Sequence, residues 1–436
     1  MTEIGGELHA EAEALREELV ACRRDFHHYP ELGWCEMRTA SLIARRLTEL
    51  GYEVLVGREV CDEAGRMGLP DEETLERAYR RARAQGADPE FLEQVRGGFT
   101  GVIGILRCGE GPTVALRFDI DALPVPEAQG ADHLPAREGF VSCNDGVMHA
   151  CGHDAHITIG LGTAKLLMRH KDRLHGTVKL IFQPAEEGVR GAKSIVDKGH
   201  LDGVDYVLGG HMGGDPNTAQ PAIGVGDGST LATTKFDVYY HGKPAHAGFC
   251  PELGKNAMLA AANAVLGLYG IPRHGAAGTQ VNVGTLHAGT GRNVVAAEAK
   301  LEVEVRGNSA AANRHMQEYA FRVVKAAGEM HDCGCEIKLM GAADCTENSP
   351  ELSSRVLQIC REQLGLACVE MKGGASGSED YSYFSERVRS QGGHSCYFSN
   401  LVRCAGPFHN SQFDLDEVGL VNGVITFVGV TCDLMK

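Results

Sequence analysis

The sequence predicts an α/β protein in which a mostly parallel sheet carries flanking helices and is interrupted by a smaller α+β unit. From residue 113 onward, short apolar runs alternate with helical patterns, an order typical of parallel sheets covered by helices. Between about 229 and 341 the order becomes strand, helix, two strands, helix, strand, which is ferredoxin-like. We therefore expect two domains, a catalytic one formed by 1–228 and 342–436 and an inserted one formed by 229–341.

The first 106 residues are expected to contain two helices, over 8–26 and 37–50, followed by two strands, over 52–56 and 101–106. The segment between these strands, 60–98, is rich in charge and contains a helical stretch over 71–96. It is interpreted as an insertion, and both a solvated helix and a substrate lid are consistent with its sequence.

The next strands are expected over 113–118, 178–182 and 206–208, and the intervening helices over 155–169 and 192–198. Ligands of such sheets bind beyond the carboxyl ends of the strands. Polar side chains follow each of these strands: Asp119 and Asp121, then Glu186 and Glu187, then His211. The sequence therefore predicts that these residues meet at one edge of the sheet.

The inserted unit shows alternation with a period of two. In the run 299–306, Leu301 and Val303 point to one face, whereas Lys300 and Arg306 point to the other. The other strands of this unit are expected over 235–240, 280–287 and 335–340, and its helices over 256–269 and 310–330. A further helix is expected over 351–364, in the final part of the chain.

Composition excludes several classes of function. The 436 residues exceed what one hydrophobic core usually supports. A net charge of −16 argues against nucleic acid and anionic membranes as partners, since both require clustered Lys and Arg. No apolar run of about 18 residues and no signal-peptide pattern is present in the sequence. The fifteen cysteines are scattered and odd in number, which favours reduced thiols in a cytoplasmic protein.

The segment Cys151-Gly152-His153-Asp154 is the most informative part of the chain. Residues two positions apart do not share a helix face, so Cys151 and His153 can converge only from a turn. Asp154 is expected to cap the apolar helix that follows. Thiolates, imidazoles and carboxylates bind borderline-soft divalent metals, so we expect a metal site here. A buried thiol beside a surface histidine is the alternative.

Six further motifs follow this segment in the chain. They are Gln183-Pro184-Ala185-Glu186-Glu187-Gly188, His211, Gly242-Lys243-Pro244-Ala245-His246-Ala247, Gly291-Arg292-Asn293-Val294-Val295, Ser376-Gly377-Ser378-Glu379-Asp380 and Phe408-His409-Asn410. In this order, and over nearly the whole chain, the motifs resemble the M20 metallopeptidase family. The resemblance is to the amidohydrolase branch of that family, branch D, which hydrolyses N-acyl amino acids.

The resemblance implies a zinc-peptidase-like catalytic domain that holds two divalent metal ions. Carried onto this sequence, the metal ligands are Cys151, His153, Glu187, His211 and His409. The resemblance gives Glu186 the role of general base and acid, although a pair of surface glutamates is the alternative. Asp119 is not assigned as a ligand, and Asp121 is expected to orient a ligand histidine. Manganese is favoured by the resemblance, whereas the softness of the ligands favours zinc.

The resemblance makes the inserted unit a dimerisation or lid domain with three functional residues. It implies that His246 reaches across a dimer interface and stabilises the oxyanion in the site of the other chain. A histidine bonded to the backbone is the alternative. The resemblance assigns Asn293 and Arg306 to the substrate carboxylate, whereas a polar position on an edge strand is the alternative for Arg306. Four other histidines are expected to be structural: His27, His28, His149 and His156.

The function implied is a cytoplasmic metal-dependent amidohydrolase with a small-molecule N-acyl amino acid as substrate. The resemblance includes the 60–98 insertion, and with it the expected substrate becomes p-aminobenzoyl-glutamate. Another N-acyl or aromatic conjugate is the first alternative. The second is a subunit of a heteromeric hydrolase with weak activity alone, so the chain is expected to form a homodimer or a heterodimer with a homologous subunit. A thiol redox protein has little support, because the sequence contains no C-x-x-C motif.

Overall fold

The computed structural model describes residues 3–214, 217–226, 230–371 and 377–436. The domain boundary expected between 228 and 229 lies outside the described residues, as does Ser376 of the motif that ends at Asp380. The strands are β1 (Glu53–Val56), β2 (Val102–Arg107), β3 (Thr113–Asp119), β4 (Thr177–Gln183), β5 (Tyr206–Gly213), β6 (Ala222–Val225), β7 (Ala232–His241), β8 (Thr279–Ala288), β9 (Glu298–Gly307), β10 (Gly334–Ala343), β11 (Cys368–Glu370) and β12 (His394–Leu401).

The α-helices flank these strands. They are α1 (Glu3–Ala14), α2 (Arg16–His28), α3 (Met37–Glu49), α4 (Glu72–Ala84), α5 (Pro89–Leu92), α6 (Leu134–Glu138), α7 (His153–Arg169), α8 (Ala192–Asp197), α9 (Ala257–Tyr269), α10 (Ala310–Met330), α11 (Pro350–Gln358), α12 (Tyr381–Ser390) and α13 (Val418–Leu434). Among the described helices, none combines the length and apolar character that a bilayer-spanning segment requires.

The larger sheet has eight strands in the order β1-β2-β4-β3-β5-β12-β6-β11. Its centre is parallel, since β4, β3, β5 and β12 pair in parallel. Strands β1 and β2 pair antiparallel at one edge, and β12 pairs antiparallel with β6. The expectation of a mostly parallel sheet with flanking helices is therefore confirmed.

The smaller sheet has four antiparallel strands in the order β10-β7-β9-β8. Leu301, Val303 and Val305 of β9 are buried in a hydrophobic core separate from that of the larger sheet. Helices α9 and α10 contribute Ala260, Ala264, Met316 and Val324 to the same core, so they cover one face of this sheet. The other face carries the charged residues of β9, which agrees with the alternation read from the sequence.

Helix α7 lies in the core of the larger unit and contacts α2 and α13. Most of its residues are buried, including Ile157, Leu161 and Leu166, whereas Lys165 and Arg169 near its end reach solvent. The segment 151–154 at its start is thereby held by the core of the protein.

The structure corrects two of the predicted helices. The helix expected over 8–26 is interrupted at Leu15, where α1 ends and α2 begins. The helix expected over 71–96 ends at Ala84, because Gly86 has a positive φ of 85° and Pro89 begins α5 with Asp88 as its N-cap.

The insertion is part of the main core. Leu75, Tyr79, Phe91 and Leu92 are buried in the same cluster as the larger sheet, and both α4 and α5 contact α3. Interpreting the segment as a solvated helix is therefore wrong. The charged residues that suggested exposure occupy the outer side of α4, while its inner side carries the buried apolar residues.

Strand β12 was not predicted, although it lies between β5 and β6 in the larger sheet. Polar residues interrupt its apolar pattern and are buried with partners. The Ser395 amide donates to Ser349 Oγ (3.1 Å), and Asn400 Nδ2 donates to the Gly419 carbonyl (2.7 Å). The helix expected over 351–364 ends at Gln358 and continues as a short π-helix over Ile359–Gln363.

A buried ion network joins α2 to the start of α7. The guanidinium of Arg23 contacts Asp154 Oδ2 (2.8 Å) and Asp414 Oδ1 (2.7 Å), and the side chains of Arg23 and Asp154 are fully buried. His27 bonds to Asp154 and to Glu127 at 2.8 Å each. Burial alone raises the pKa of Asp154, but Arg23 and His27 hold it well below its usual range.

Replacement of Arg23 tests this network. We expect Arg23→Met to lower the free energy of unfolding by about 3–5 kcal/mol, because it leaves two carboxylates buried without their cation. Arg16→Met, on the same helix, is the control, since its ion pair with Glu13 is exposed and is worth at most about 1 kcal/mol. Denaturant unfolding measures both values, and equal midpoints for the two variants would contradict the role of Arg23.

Candidate metal centre

The turn before α7 brings Cys151 and His153 to one point. Gly152 has a φ of 84° and is the N-cap of α7, a conformation that only glycine adopts readily. Asp154 is therefore not the cap, and the expectation that it caps the helix is wrong. Its carboxylate is instead bound by Arg23 and His27, because it lies in the first helical turn and faces α2.

His153 is oriented by Asp121. Its Nδ1 lies 2.9 Å from the Asp121 carbonyl oxygen and 3.3 Å from Asp121 Oδ1, so Nδ1 carries the proton and donates it. The opposite nitrogen, Nε2, is buried and has no hydrogen-bond partner in the part of the chain that the structure describes. A buried imidazole nitrogen that accepts no hydrogen bond is available to a metal ion.

All five predicted ligands lie close together. Cys151 Sγ is 3.5 Å from Nε2 of His211, and His409 Nε2 is 3.4 Å from Glu187 Oε1. Within each of three overlapping groups, the ligand atoms lie within 4.8 Å of one another. The groups are Cys151/His153/His211, Cys151/Glu187/His409 and His153/Glu186/Glu187.

Cys151, His153 and Glu187 each belong to two of these groups, so the three groups form one continuous cluster of thiol, imidazole and carboxylate groups. The chemistry of the site also suits cations. Burial, followed by the charges of Glu187 and Glu186, raises the pKa of the Cys151 thiol well above its usual value. A bound cation reverses this effect and deprotonates the thiol. The residues present therefore fit a metal centre.

The loop that carries Glu186 and Glu187 has an unusual backbone. Ala185 and Val189 have positive φ values of 51° and 60°, which are strained for residues with side chains. The Ala185 amide donates to Glu36 Oε1 (2.7 Å), and the Glu187 amide donates to Asp121 Oδ2 (2.9 Å). These two buried carboxylates hold the backbone of the loop.

Glu186 is buried among other carboxyl groups. Its carboxylate lies within 4.8 Å of those of Glu379 and Asp380. Burial, followed by the negative charges of Glu379 and Glu187, raises the pKa of Glu186 well above its usual value. This carboxyl group therefore holds a proton more strongly than an exposed glutamate does.

Arg117 supplies positive charge directly beneath the site. Its guanidinium contacts Asp119 Oδ2 at 2.7 Å, Glu379 Oε1 at 2.8 Å and Asp380 Oδ1 at 3.0 Å, and it donates to Gln183 Oε1 at 2.8 Å. Neither Arg117 nor Glu379 was predicted as a site residue, although Glu379 belongs to one of the motifs that carry the family resemblance. The sequence nevertheless contains an indication of this cluster, since Arg117 lies within the apolar strand β3. A fully buried arginine requires acidic partners.

The remaining histidines near the motifs have positions outside the five-ligand set. His156 contacts Asp119 Oδ2 through Nδ1 (3.2 Å) and accepts the Met212 amide through Nε2 (2.9 Å), so both nitrogens are used. His28 bonds to the Val141 carbonyl. His149 is buried, and neither of its ring nitrogens has a hydrogen-bond partner within the described ranges. His211 lies within β5 rather than after it, because that strand continues to Gly213.

The three residues expected from the smaller unit belong to two of its loops and to strand β9. His246 is exposed and pairs with Val294, and the Ala247 amide donates to the Asn293 carbonyl (3.0 Å), so two of these residues share one pair of loops. Arg306 lies in β9, an interior strand rather than an edge strand, and contacts Glu304 at 3.1 Å. Among the described residues, none of the three bonds to the ligand cluster.

Comparison with known proteins identifies the class. Residues 115–430 match the model of peptidase family M20/M25/M40. The chain belongs to this family, and the resemblance inferred from the motifs is confirmed. The expectation of a hydrolase that acts on amide bonds is confirmed with it.

Two curated relatives are each 46% identical to this chain. One is a p-aminobenzoyl-glutamate hydrolase subunit of Escherichia coli K12, aligned over 93% of both chains. The other is the indole-3-acetyl-aspartic acid hydrolase of Enterobacter agglomerans, aligned over 92% of both.

Two solved structures are similar. The aminobenzoyl-glutamate utilization protein of Klebsiella pneumoniae has a TM-score of 0.83, 40% identity and 98% coverage of both chains. The YXEP protein of Bacillus subtilis, described as a dinuclear metal binding peptidase from the M20 family, has a TM-score of 0.66 and 26% identity, with 97% of this chain and 99% of that chain covered.

Replacement of Cys151 tests whether the cluster binds metal ions. We expect Cys151→Ala to bind less than half the metal of the wild-type protein, because both groups that contain the thiol lose a ligand. Elemental analysis after purification without chelator measures this and identifies the metal. Cys143→Ala, which removes an exposed thiol, is the control. Equal metal content in the two variants would exclude Cys151 as a ligand.

Proposed function

We propose that this protein hydrolyses p-aminobenzoyl-glutamate to p-aminobenzoate and glutamate. The observation that carries the proposal is the cluster of five ligand side chains beside the buried carboxyl group of Glu186. The choice of substrate is supported by the 46% identity to the Escherichia coli p-aminobenzoyl-glutamate hydrolase subunit over 93% of both chains.

We propose that two divalent metal ions are held by Cys151, His153, Glu187, His211 and His409. When bound, such ions polarise the scissile carbonyl and lower the pKa of a water molecule. Manganese is our first choice by resemblance to the family, and zinc is the alternative suggested by ligand softness. The dinuclear site named for the Bacillus subtilis structure supports the number of ions.

The chain's own residues then have separate tasks. Glu186 accepts the proton of the attacking water and delivers it to the leaving amide nitrogen. Its raised pKa, caused by burial and neighbouring carboxylates, suits the second of these steps. Asp121 fixes the tautomer of His153 so that Nε2 faces the metal. The guanidinium of Arg117 balances the negative charge of Asp119 and Glu379.

We propose that the inserted unit is a ferredoxin-like dimerisation domain that supplies His246 to the partner's site. The strand order β10-β7-β9-β8 and the separate core support this assignment and the domain limits 1–228, 229–341 and 342–436. His246 then stabilises the oxyanion, and Asn293 and Arg306 bind the substrate carboxylate. The exposure of His246 and Asn293 supports a role at a surface shared with a second chain.

Exposed apolar residues mark where that second chain is expected to pack. Leu259, Leu266 and Tyr269 of α9 and Leu286 of the edge strand β8 are all exposed by 42% or more. Such a surface is typical of an interface. Either a second copy or a homologous subunit suits it. The Escherichia coli relative is named as one subunit of its hydrolase, which supports the heteromeric alternative.

A cytoplasmic location is proposed as well. Buried cysteines such as Cys35, Cys61 and Cys396 are free thiols, as expected for a protein that folds under reducing conditions.

Hydrolysis of another aromatic amino-acid conjugate is the second candidate. The Enterobacter agglomerans relative is equally similar, and its name pairs an indole acyl group with aspartic acid. Parallel assays of p-aminobenzoyl-glutamate, indole-acetyl-aspartate and N-acetyl amino acids distinguish the candidates. A higher kcat/KM on a conjugate other than p-aminobenzoyl-glutamate would displace our first choice.

The role of Glu186 is tested by replacement. We expect Glu186→Ala to lower kcat by at least about 100-fold while the metal content is unchanged, because the proton transfers are lost but the ligands remain. Glu110→Ala, which removes an exposed carboxylate, is the control. Near-normal turnover by the Glu186 variant would refute its assignment.

Sharing of a site between two chains is tested by mixing variants. We expect Glu186→Ala and His246→Ala to be inactive separately, and their co-expression to restore about a quarter of the wild-type activity, since half the dimers then contain one intact site. Co-expression of Glu186→Ala with the double variant is the control. Failure to restore activity, with dimers verified by light scattering, would place His246 outside the partner's site.

A further inference from the structure

Lys235 projects from the face of the smaller sheet that its helices leave uncovered. Along β7, Phe236, Val238 and Tyr240 are buried in the core that contains α9 and α10. Alternate residues of a strand point to opposite faces, so Lys235 points away from these helices. The side chain of Lys235 is half-buried, which shows that this position is sheltered by neighbouring protein.

This uncovered face meets the loop that carries Glu187. Lys235 is paired across the sheet with Gly341 of β10, so the two residues share a face. A β-carbon on Gly341 would collide with the carbonyl oxygen of Gly188, and the Ala342 amide donates to the Val189 carbonyl at 3.0 Å. The β-carbon direction of Gly341 therefore points at the ligand loop, and Lys235 stands beside it.

The ammonium group of Lys235 has no acidic partner among the described residues. Glu304 lies opposite it on β9, but that carboxylate is bound by Arg306 at 3.1 Å and by the Thr233 hydroxyl at 3.0 Å. The other nearby cations are occupied: Arg117 by buried carboxylates, and Arg190 by the carbonyls of Glu187 (2.8 Å) and Gly68 (3.2 Å).

We propose that Lys235 binds a carboxylate of the amino-acid part of the substrate. The inference rests on the proposed function, since an N-acyl amino acid presents a carboxylate one carbon from the scissile amide nitrogen. An ammonium group without an acidic partner in the described part of the chain, beside the ligand loop, is a suitable contact for such an anion. Lys235 supplies a positive charge from the same chain as the ligands, in addition to the contact proposed above for Arg306.

The test compares Lys235→Met with Lys338→Met. Lys338 pairs with Asp237 on the same sheet face, two residues along β7 from Lys235 and farther from the ligand loop, and it is exposed. We expect Lys235→Met to raise the KM for p-aminobenzoyl-glutamate by about 10- to 100-fold with little change in kcat, as for loss of one charge-assisted contact. Lys338→Met is expected to leave both constants unchanged.

A second substrate identifies which carboxylate is bound. In p-aminobenzoyl-glutamine the side-chain carboxylate is replaced by an amide and the α-carboxylate is kept. If Lys235→Met raises the KM of both compounds equally, the contact is with the α-carboxylate. If it raises the KM of the glutamate compound alone, the contact is with the side-chain carboxylate. Lys235→Arg, which keeps the charge, is expected to recover most of the affinity.

Binding is measured in parallel by calorimetry with p-aminobenzoyl-glutamate. If the wild-type protein binds but does not hydrolyse this compound, the proposed function fails, and the Kd of Lys235→Met relative to Lys338→Met still tests the contact. If hydrolysis occurs and both variants have the same KM and Kd, the inference about Lys235 is overturned. It is also overturned if the wild-type protein does not bind the compound at all.

Discussion

The positive charge of Arg117 beneath the ligand cluster is the interaction on which the rest of the site depends. Asp119, Glu379 and Asp380 are buried against it, and a carboxylate buried without a cation costs several kcal/mol. Because Arg117 belongs to the fully buried part of β3, the sheet itself fixes the position of this charge. The fold can therefore gather acidic side chains at the carboxyl edge of the sheet.

The ligand positions also depend on strained backbone. Ala185, Val189 and His409 have positive φ values, each of which costs about 1–3 kcal/mol. Such conformations persist only where surrounding groups determine them. Here Glu36 and Asp121 bind the amides of the Glu187 loop, and β10 of the smaller unit binds the carbonyl of Val189. The core and the inserted unit therefore both contribute to the geometry of the ligand cluster.

Local sequence patterns predicted the regular elements well and their interruptions poorly. The runs at 113–118 and 178–182 became β3 and β4, since an apolar run between turns leaves few alternatives. Gly86 and Pro89, at the break between α4 and α5, are visible in the sequence. The helical pattern on both sides of them nevertheless favoured one continuous helix. Strand β12 was missed because its buried Ser395 and Asn400 bond to Ser349 and Gly419, which lie 46 and 19 positions away, and a local pattern cannot indicate such partners.

The sequence by itself determined the residue types of the site and their order, because a thiol, imidazoles and carboxylates after successive strands permit little chemistry other than metal binding. Only the tertiary structure decided how these residues are supported. The binding of Asp154 by Arg23 on α2, the charge of Arg117 and the position of Lys235 beside the Glu187 loop all depend on which distant segments become neighbours. Strand order and interstrand register set those distances, and neither is encoded within a single local segment.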